Sequence, residues 1–384
     1  MTIKELLGIM VESNASDLYL TVDSPPMFRV EGVTKPYGES SLNAHQAEDI
    51  ANSLMNERQK AAFSENLEMN LALYYPDIGR FRVNIFRQKN CVGLVFRMIK
   101  MEIETLSDLN LPGVLNDVAL TKRGLVLLVG GTGTGKSTTL AAMIDHRNAS
   151  TPGHIITIED PVEFIHHHKK CIITQREVGM DTLNYSNALK NTLRQAPDVI
   201  LLGEIRDAET MESAIAFAET GHLCFSTLHA NNANQAIERI MNFFPPEKHD
   251  QLYFQLGLNL RAIISQRLIP TVDNKRAAAI EILLDTPRVK DLIMKKKIDI
   301  LKEAMAAGTQ EHMQTFDQAI FYLYKDGRVS YENAMAYADS ANDLRLKIKM
   351  DEVGETAESA EATDGKKEDE ESPFRLKADE PGQF

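Results

Sequence analysis

Tryptophan is missing altogether, and only three cysteines occur in 384 residues. Cys91, Cys171 and Cys224 stand far apart, with no CxxC pair. That spacing excludes a cysteine-rich zinc site, and free thiols in a reducing compartment are the plain expectation. Long apolar runs are lacking too. The longest among the strand-like stretches is Leu125 to Val129, whereas a membrane-spanning helix needs about 20 residues. At the amino terminus Glu5 and Glu12 interrupt Ile3, Leu6, Leu7 and Met10, a helical spacing rather than the core of an export signal. A cytoplasmic location is expected. Basic excess is also absent: the formal net charge is −13. Residues 351–384 hold 12 acidic and 4 basic residues, so the preceding 350 carry a net charge of only −5. A non-specific nucleic-acid binder needs a basic balance, so no nucleic-acid partner is expected.

What is present is an ordinary globular composition, 43% hydrophobic and 25% charged, enough for about two or three domains. Residues 1–100 read as a small mixed α/β domain. Asp17–Val22, Met27–Val30, Glu68–Tyr75, Gly79–Arg87 and Cys91–Arg97 have strand character, and Leu42 to Phe63 reads as one helix. In Gly79–Arg87, Phe81, Val83 and Ile85 alternate with Arg80, Arg82 and Asn84, the signature of a half-buried strand. Residues 101–112 are expected as a linker. From 113 to 350 the apolar strands Leu125–Val129, Ile155–Ile158, Val199–Leu202 and Leu223–Ser226 alternate with helical stretches, which predicts a parallel sheet flanked by helices. Residues 230–350 read as mostly helical. The acidic segment 351–384 lacks apolar periodicity and is expected to be a disordered tail.

The chemistry is concentrated after the first of those parallel strands. Gly130, Gly131, Thr132, Gly133, Thr134, Gly135, Lys136 and Ser137 match GxxxxGK[ST] in full, between a strand and a helix beginning near Thr138. Glycines let backbone N–H groups turn inward around phosphate oxygens, and the helix N-terminus adds its dipole. Lys136 supplies charge to the β- and γ-phosphates, and the Ser137 hydroxyl suits Mg²⁺. Two further strands end in carboxylates: Glu159, Asp160 and Glu163 after Ile155–Ile158, and Glu204 after Val199–Leu202. In a doubly wound sheet the ligand lies beyond the carboxyl ends of the strands, so both clusters face the phosphates. Glu204 is placed to reach Mg²⁺, and Glu163 to polarise an attacking water. The bland alternative for each is a helix cap. His222 and His229 flank a fourth strand, where His229 suits a contact to phosphate or sheet. His166, His167 and His168 alternate faces, lack metal spacing and read as a solvated turn; Lys295, Lys296 and Lys297 read as a solvated helix face.

The ordered set GGTGTGKST, ITIEDPVEF, LRQAPDVILLGEIRD and ETGHLCFSTLHANNA resembles the secretion-ATPase superfamily of type IV pili and type II secretion, and within it the PilT/PilU-type retraction ATPases. The likeness spans about residues 1–350. It implies a PAS-like N-terminal domain, a RecA-like P-loop ATPase domain and a hexameric ring using ATP and Mg²⁺. It also implies Glu163 as catalytic glutamate, Glu204 as Walker B glutamate, and His222 and His229 as a histidine box. From the N-terminal domain it implies arginines that reach the nucleotide, with Arg82 and Arg97 the candidates here, then Arg80. Where that family's primary retraction motors read AIRNLIRE, this chain has Pro287 to Lys296 and keeps only Leu292-Ile293. That departure and the acidic tail resemble the accessory members. The implied partners are further copies of the chain, a PilT-type retraction ATPase and an inner-membrane pilus platform protein. Alternatives are a primary retraction motor or, further off, a type II secretion or pilus extension ATPase, although those carry a four-cysteine zinc insert. A RecA-like translocase and a scaffold without turnover are opposed by the charge and by the intact Lys136, Glu163 and Glu204.

Overall fold

The computed structural model describes residues 2–99 and 102–364. It contains two sheets. The first comprises β1 (Ala15–Leu20), β2 (Met27–Val30), β3 (Val33–Pro36), β4 (Glu68–Tyr75), β5 (Gly79–Gln88) and β6 (Cys91–Ile99), ordered β3-β2-β1-β6-β5-β4 with antiparallel pairings. Its inner face is set by the alternation in β5. Phe81, Val83 and Ile85 are fully buried with Leu18, Leu94 and Phe96, and Leu6, Leu7, Met10, Ala47 and Ala51 of the flanking helices cover them. Arg80, Arg82 and Asn84 take the other face.

One expected helix is two. Ala44–Leu54 and Glu57–Asn66 are separated by extended Met55, and each opens on a capping box, Asn43 with Gln46 and Asn56 with Gln59. The second box gives the backbone N–H groups at a new helix start a partner, which favours a break over continuation.

The second sheet comprises β7 (Gly124–Val129), β8 (Gly153–Glu159), β9 (Cys171–Glu177), β10 (Val199–Leu202), β11 (Leu223–Leu228), β12 (Leu260–Pro270) and β13 (Arg276–Leu284), ordered β13-β12-β7-β11-β10-β8-β9. The pairings from β12 through β9 are parallel. Both faces are covered, which is why these strands are continuous apolar runs. Leu125, Leu127 and Val129 of β7 belong to one core with Ile156, Ile158, Ile200 and Leu202. Val126 and Leu128 belong to the other with Ile155, Val199, Leu201 and Phe225. The long strands β12 and β13 lie where the pattern reads as helix. Their pairing is a tertiary choice, and the Ala277–Ala279 run is strand despite its helix propensity. Leu106 and Leu111, in the stretch expected to be a linker, pack on the second of these cores.

By contacts the chain divides into two units, 1–269 with 276–315, and 270–275 with the chain from 316 onward. Within the second unit the helices Phe316–Lys325, Tyr331–Tyr337 and Ala341–Asp364 bury Phe316, Ile320, Leu344 and Ile348. The first fourteen residues of the expected tail thus lie in a helix, consistent with their Ala and Glu content, and 365–384 fall outside the described residues. Among the described residues no helix is long and apolar enough to cross a membrane.

Candidate active site

Because β7, β8, β10 and β11 run parallel, their carboxyl ends share one edge, and there a cleft of about 650 Å³ opens. Its walls include Thr132, Gly133, Gly135, Lys136, Ser137 and Thr138 of the glycine-rich loop and the start of the helix Lys136–Ser150. Gly130 (φ 154°), Gly133 (φ 75°) and Gly135 (φ 89°) are left-handed or nearly so. A Cβ on Gly130 would come within 2.6 Å of the Gln266 carbonyl, and one on Gly135 within 2.8 Å of its Nε2. Only glycine fits both places. Gln266 also accepts from the Thr139 hydroxyl at 2.8 Å, which ties the loop's helix to β12.

The Lys136 ammonium donates to the carbonyls of Gly130 and Gly131, both at 2.8 Å. Burial lowers its pKa, opposed by the Glu204 charge. Glu204 follows β10; its carboxylate accepts from Arg206 Nε at 2.8 Å and lies 3.2 Å from His229 Nε2 at the end of β11. Arg206 also approaches Asp160 at 3.5 Å. His222 stands at the opposite end of β11, bonded to Thr220 and outside the cleft lining.

Glu159 closes β8. Burial pushes its carboxyl up to about 7, against hydrogen bonds from the Thr157 hydroxyl, the Gln175 amide and the Glu163 backbone N–H. A cis Asp160–Pro161 bond follows, then Glu163, whose exposed carboxylate lines the cleft and makes no hydrogen bond or ion pair among the described residues. Tyr185 lies nearby, and burial pushes its phenol up to about 12. Lys136, Ser137, Glu163, Glu204 and His229 are therefore together, with Glu159, Asp160, Thr132, Gly133, Gly135 and Thr138.

Arg82 and Arg97 are held by carboxylates outside the cleft lining, with Arg97 near enough to feel the Glu163 charge. Arg82 donates to Glu177 Oε1 at 2.6 Å, and Arg97 donates through Nε to Asp17 Oδ1 at 2.8 Å; neither lines the cleft. Met98 of β6 does. The solvated-turn reading of the histidines is corrected at His166. It is 8% exposed, lines the cleft and is pushed down to about 4 by burial, while His167 and His168 stay exposed. Its backbone N–H donates to Gln175 Oε1 at 2.8 Å, which holds this one histidine of the three against the sheet. Tyr185, Arg206 and Arg276 also line the cleft, and Gln175 bonds Glu159 behind it; of these only Arg206, two residues beyond Glu204, carries a local signal in the sequence.

The family model for type II/IV secretion system proteins matches residues 3–361. The chain belongs to that family. Among type II/IV secretion system proteins it is 54% identical over 366 residues to the type IV pilus ATPase PilU of Pseudomonas aeruginosa, covering 95% of this chain and 96% of that one. It is 42% identical over 334 residues to the type IV pilus retraction ATPase PilT of the same organism, covering 87% and 97%. A crystal structure of the pilus retraction motor PilT with bound ADP superposes with a TM-score of 0.83 at 38% identity, covering 90% of this chain and 99% of that one. The expected α/β class stands on the same likeness.

Proposed function

We propose that this chain is a cytoplasmic, ATP-hydrolysing motor that supports type IV pilus retraction and twitching motility, as a PilU-like accessory to a PilT-type motor. The observation that carries it is the convergence of Lys136, Glu163, Glu204 and His229 on one cleft around a complete P-loop. The identity to PilU along nearly the whole chain supplies the biological setting. On this reading 1–100 is a PAS-like domain and 113–350 a RecA-like ATPase domain. Six copies close a ring peripheral to the inner membrane, engaged with a platform protein, and no nucleic acid takes part.

Backbone N–H groups from Gly131 to Ser137 cradle the phosphates, and Lys136 exchanges loop carbonyls for phosphate oxygens. The Ser137 hydroxyl and Glu204 carboxylate are hard oxygen donors, the type Mg²⁺ takes, and these two would hold it. When bound, the ion neutralises charge on the β- and γ-phosphate oxygens. His229 and Arg206 fix the Glu204 carboxylate between them. Glu163, unencumbered, accepts the proton of the attacking water. The test is steady-state phosphate release by the purified chain, with and without a PilT-type ring and with Mg²⁺ chelated. Mg²⁺-dependent turnover that rises with the partner ring is expected; absence of ATP turnover in both settings overturns the reading.

A further inference from the structure

Glu163 sits on the turn between β8 and β9, and that turn is held through its backbone by side chains. Glu177 Oε2 accepts from the Val162 N–H at 3.2 Å, just before Glu163. The Gln175 amide donates to the Phe164 carbonyl at 2.9 Å, just after it, and accepts from the His166 N–H at 2.8 Å. Gln175 and Glu177 are two apart on β9, so both present to the same face. They form a clamp on either side of Glu163.

Glu177 is 4% exposed. A carboxylate so placed is costly unless a cation and hydrogen bonds offset its lost hydration. Its ion-pair partner comes from the other sheet: Arg82 of β5, at 2.6 Å. The six-stranded sheet therefore supplies the charge that stabilises the clamp on the turn carrying Glu163.

We propose that Glu177 is a positioning residue for Glu163 and that Arg82 acts on turnover through Glu177. The proposal rests on the ATPase reading above. It makes the geometry of the water-activating turn depend on where the six-stranded sheet stands. If that sheet withdraws, Arg82 leaves, Glu177 loses its counter-charge, and the Val162 anchor loosens. A contact of Arg82 with nucleotide is a separate route, and the two differ in how mutations combine.

The experiment compares Glu177→Gln, Arg82→Ala, the double variant and Arg82→Lys in the full-length chain. Three readouts are taken: amide exchange of the 160–166 segment, phosphate release, and affinity for a non-hydrolysable ATP analogue. Each of the first two variants is expected to speed exchange in 160–166 and to lower kcat about tenfold or more, with analogue affinity changed less than about threefold. The double variant is expected to be no worse than the worse single, because both changes break one interaction. Arg82→Lys, which keeps the charge, should recover part of kcat and of the exchange protection. Losses that multiply in the double variant, or unchanged exchange in Glu177→Gln, would overturn the proposal. Should Glu177→Gln fail to fold, Arg82→Lys against Arg82→Ala carries the same exchange and kcat comparison. A wild-type chain that releases no phosphate refutes the ATPase reading, while the exchange arm still tests the clamp.

Discussion

Arg82 and Arg97 stand directly opposite each other across β5 and β6. Like charges in that position repel. The pair is tolerated because a carboxylate flanks each member. Glu177 takes Arg82, and Asp17, opposite Arg97 on β1, takes Arg97 at 2.8 Å. The hydrogen bond with Asp17 also raises the Arg97 pKa. Asp17→Asn is expected to lower stability by about 0.5–1.5 kcal/mol, since a part-buried, charge-assisted hydrogen bond to a largely exposed arginine is weakened. Arg97→Gln added to it should regain part of that, because the repulsion goes. Chemical denaturation reads both, and an Asp17→Asn midpoint equal to wild type contradicts the account.

Lys136→Ala should reduce phosphate release by roughly 10²-fold or more, the scale of losing one preorganised charge at the transferred group. No other residue of the loop carries charge. Near-wild-type turnover in the purified variant would remove the P-loop from the mechanism.

Glu163→Gln and Glu204→Gln should both stop turnover, about 10²-fold or more, yet differ in stability. The Glu163 carboxylate makes no hydrogen bond or ion pair among the described residues, and the backbone N–H that Glu163 gives to Glu159 survives the substitution, so its amide variant should melt like wild type. Glu204 holds Arg206 and His229, and neutralising it should cost on the order of 1 kcal/mol. Equal melting shifts in the two variants would show that the Glu204 contacts carry no weight.

The parallel sheet and the P-loop were legible because both are local: an apolar run, a glycine loop and a helix start lie within the stretch from Leu125 to Lys136. The strand-end carboxylates followed from the parallel arrangement alone. What was not legible depends on partners distant in sequence. Arg82 reads as a nucleotide-reaching or solvated side chain until Glu177, 95 positions away, is brought beside it. His166 looks like its two neighbours until Gln175, 9 positions away, accepts from its backbone N–H. β12 and β13 read as helix because nothing local announces that β7 pairs with β12.

The Glu159 carboxyl, pushed up to about 7 by burial, gives a pH signature. The folded state holds this proton more tightly than the unfolded chain does, so the stabilisation is fully present below the ordinary Glu range. It is lost as pH rises from about 4.5 through 7. Glu159→Gln lacks the titration. Its stability relative to wild type should therefore rise between pH 5 and pH 8, by up to roughly 3 kcal/mol. Parallel pH profiles for the two proteins would show that Glu159 titrates as an ordinary surface acid.

The acidic end of the chain allows a sharper cut than composition suggested. Residues 351–384 hold 12 acidic residues among 34, yet the helix Ala341–Asp364 enters that segment. Its apolar anchors lie earlier: Leu344 and Ile348 are 1% and 3% exposed. Truncation after Met350 keeps both, and the ion pair of Asp351 with Lys325 that it removes, at 2.7 Å, is half-exposed. Such a pair contributes about 0.2–1 kcal/mol, so folding and phosphate release should stay near wild type. Truncation after Ser340 also removes both anchors, each worth about 2–5 kcal/mol by analogy with large-to-small core changes. It should unfold the helices 316–337, seen as lost protection in amide exchange there. The 12 acidic against 4 basic residues of 351–384 would complement a basic partner surface or serve solubility. Motility in cells that retain a PilT-type motor separates the two roles. Lost motility with intact phosphate release assigns the segment to docking, and motility at the wild-type level assigns it to solubility alone.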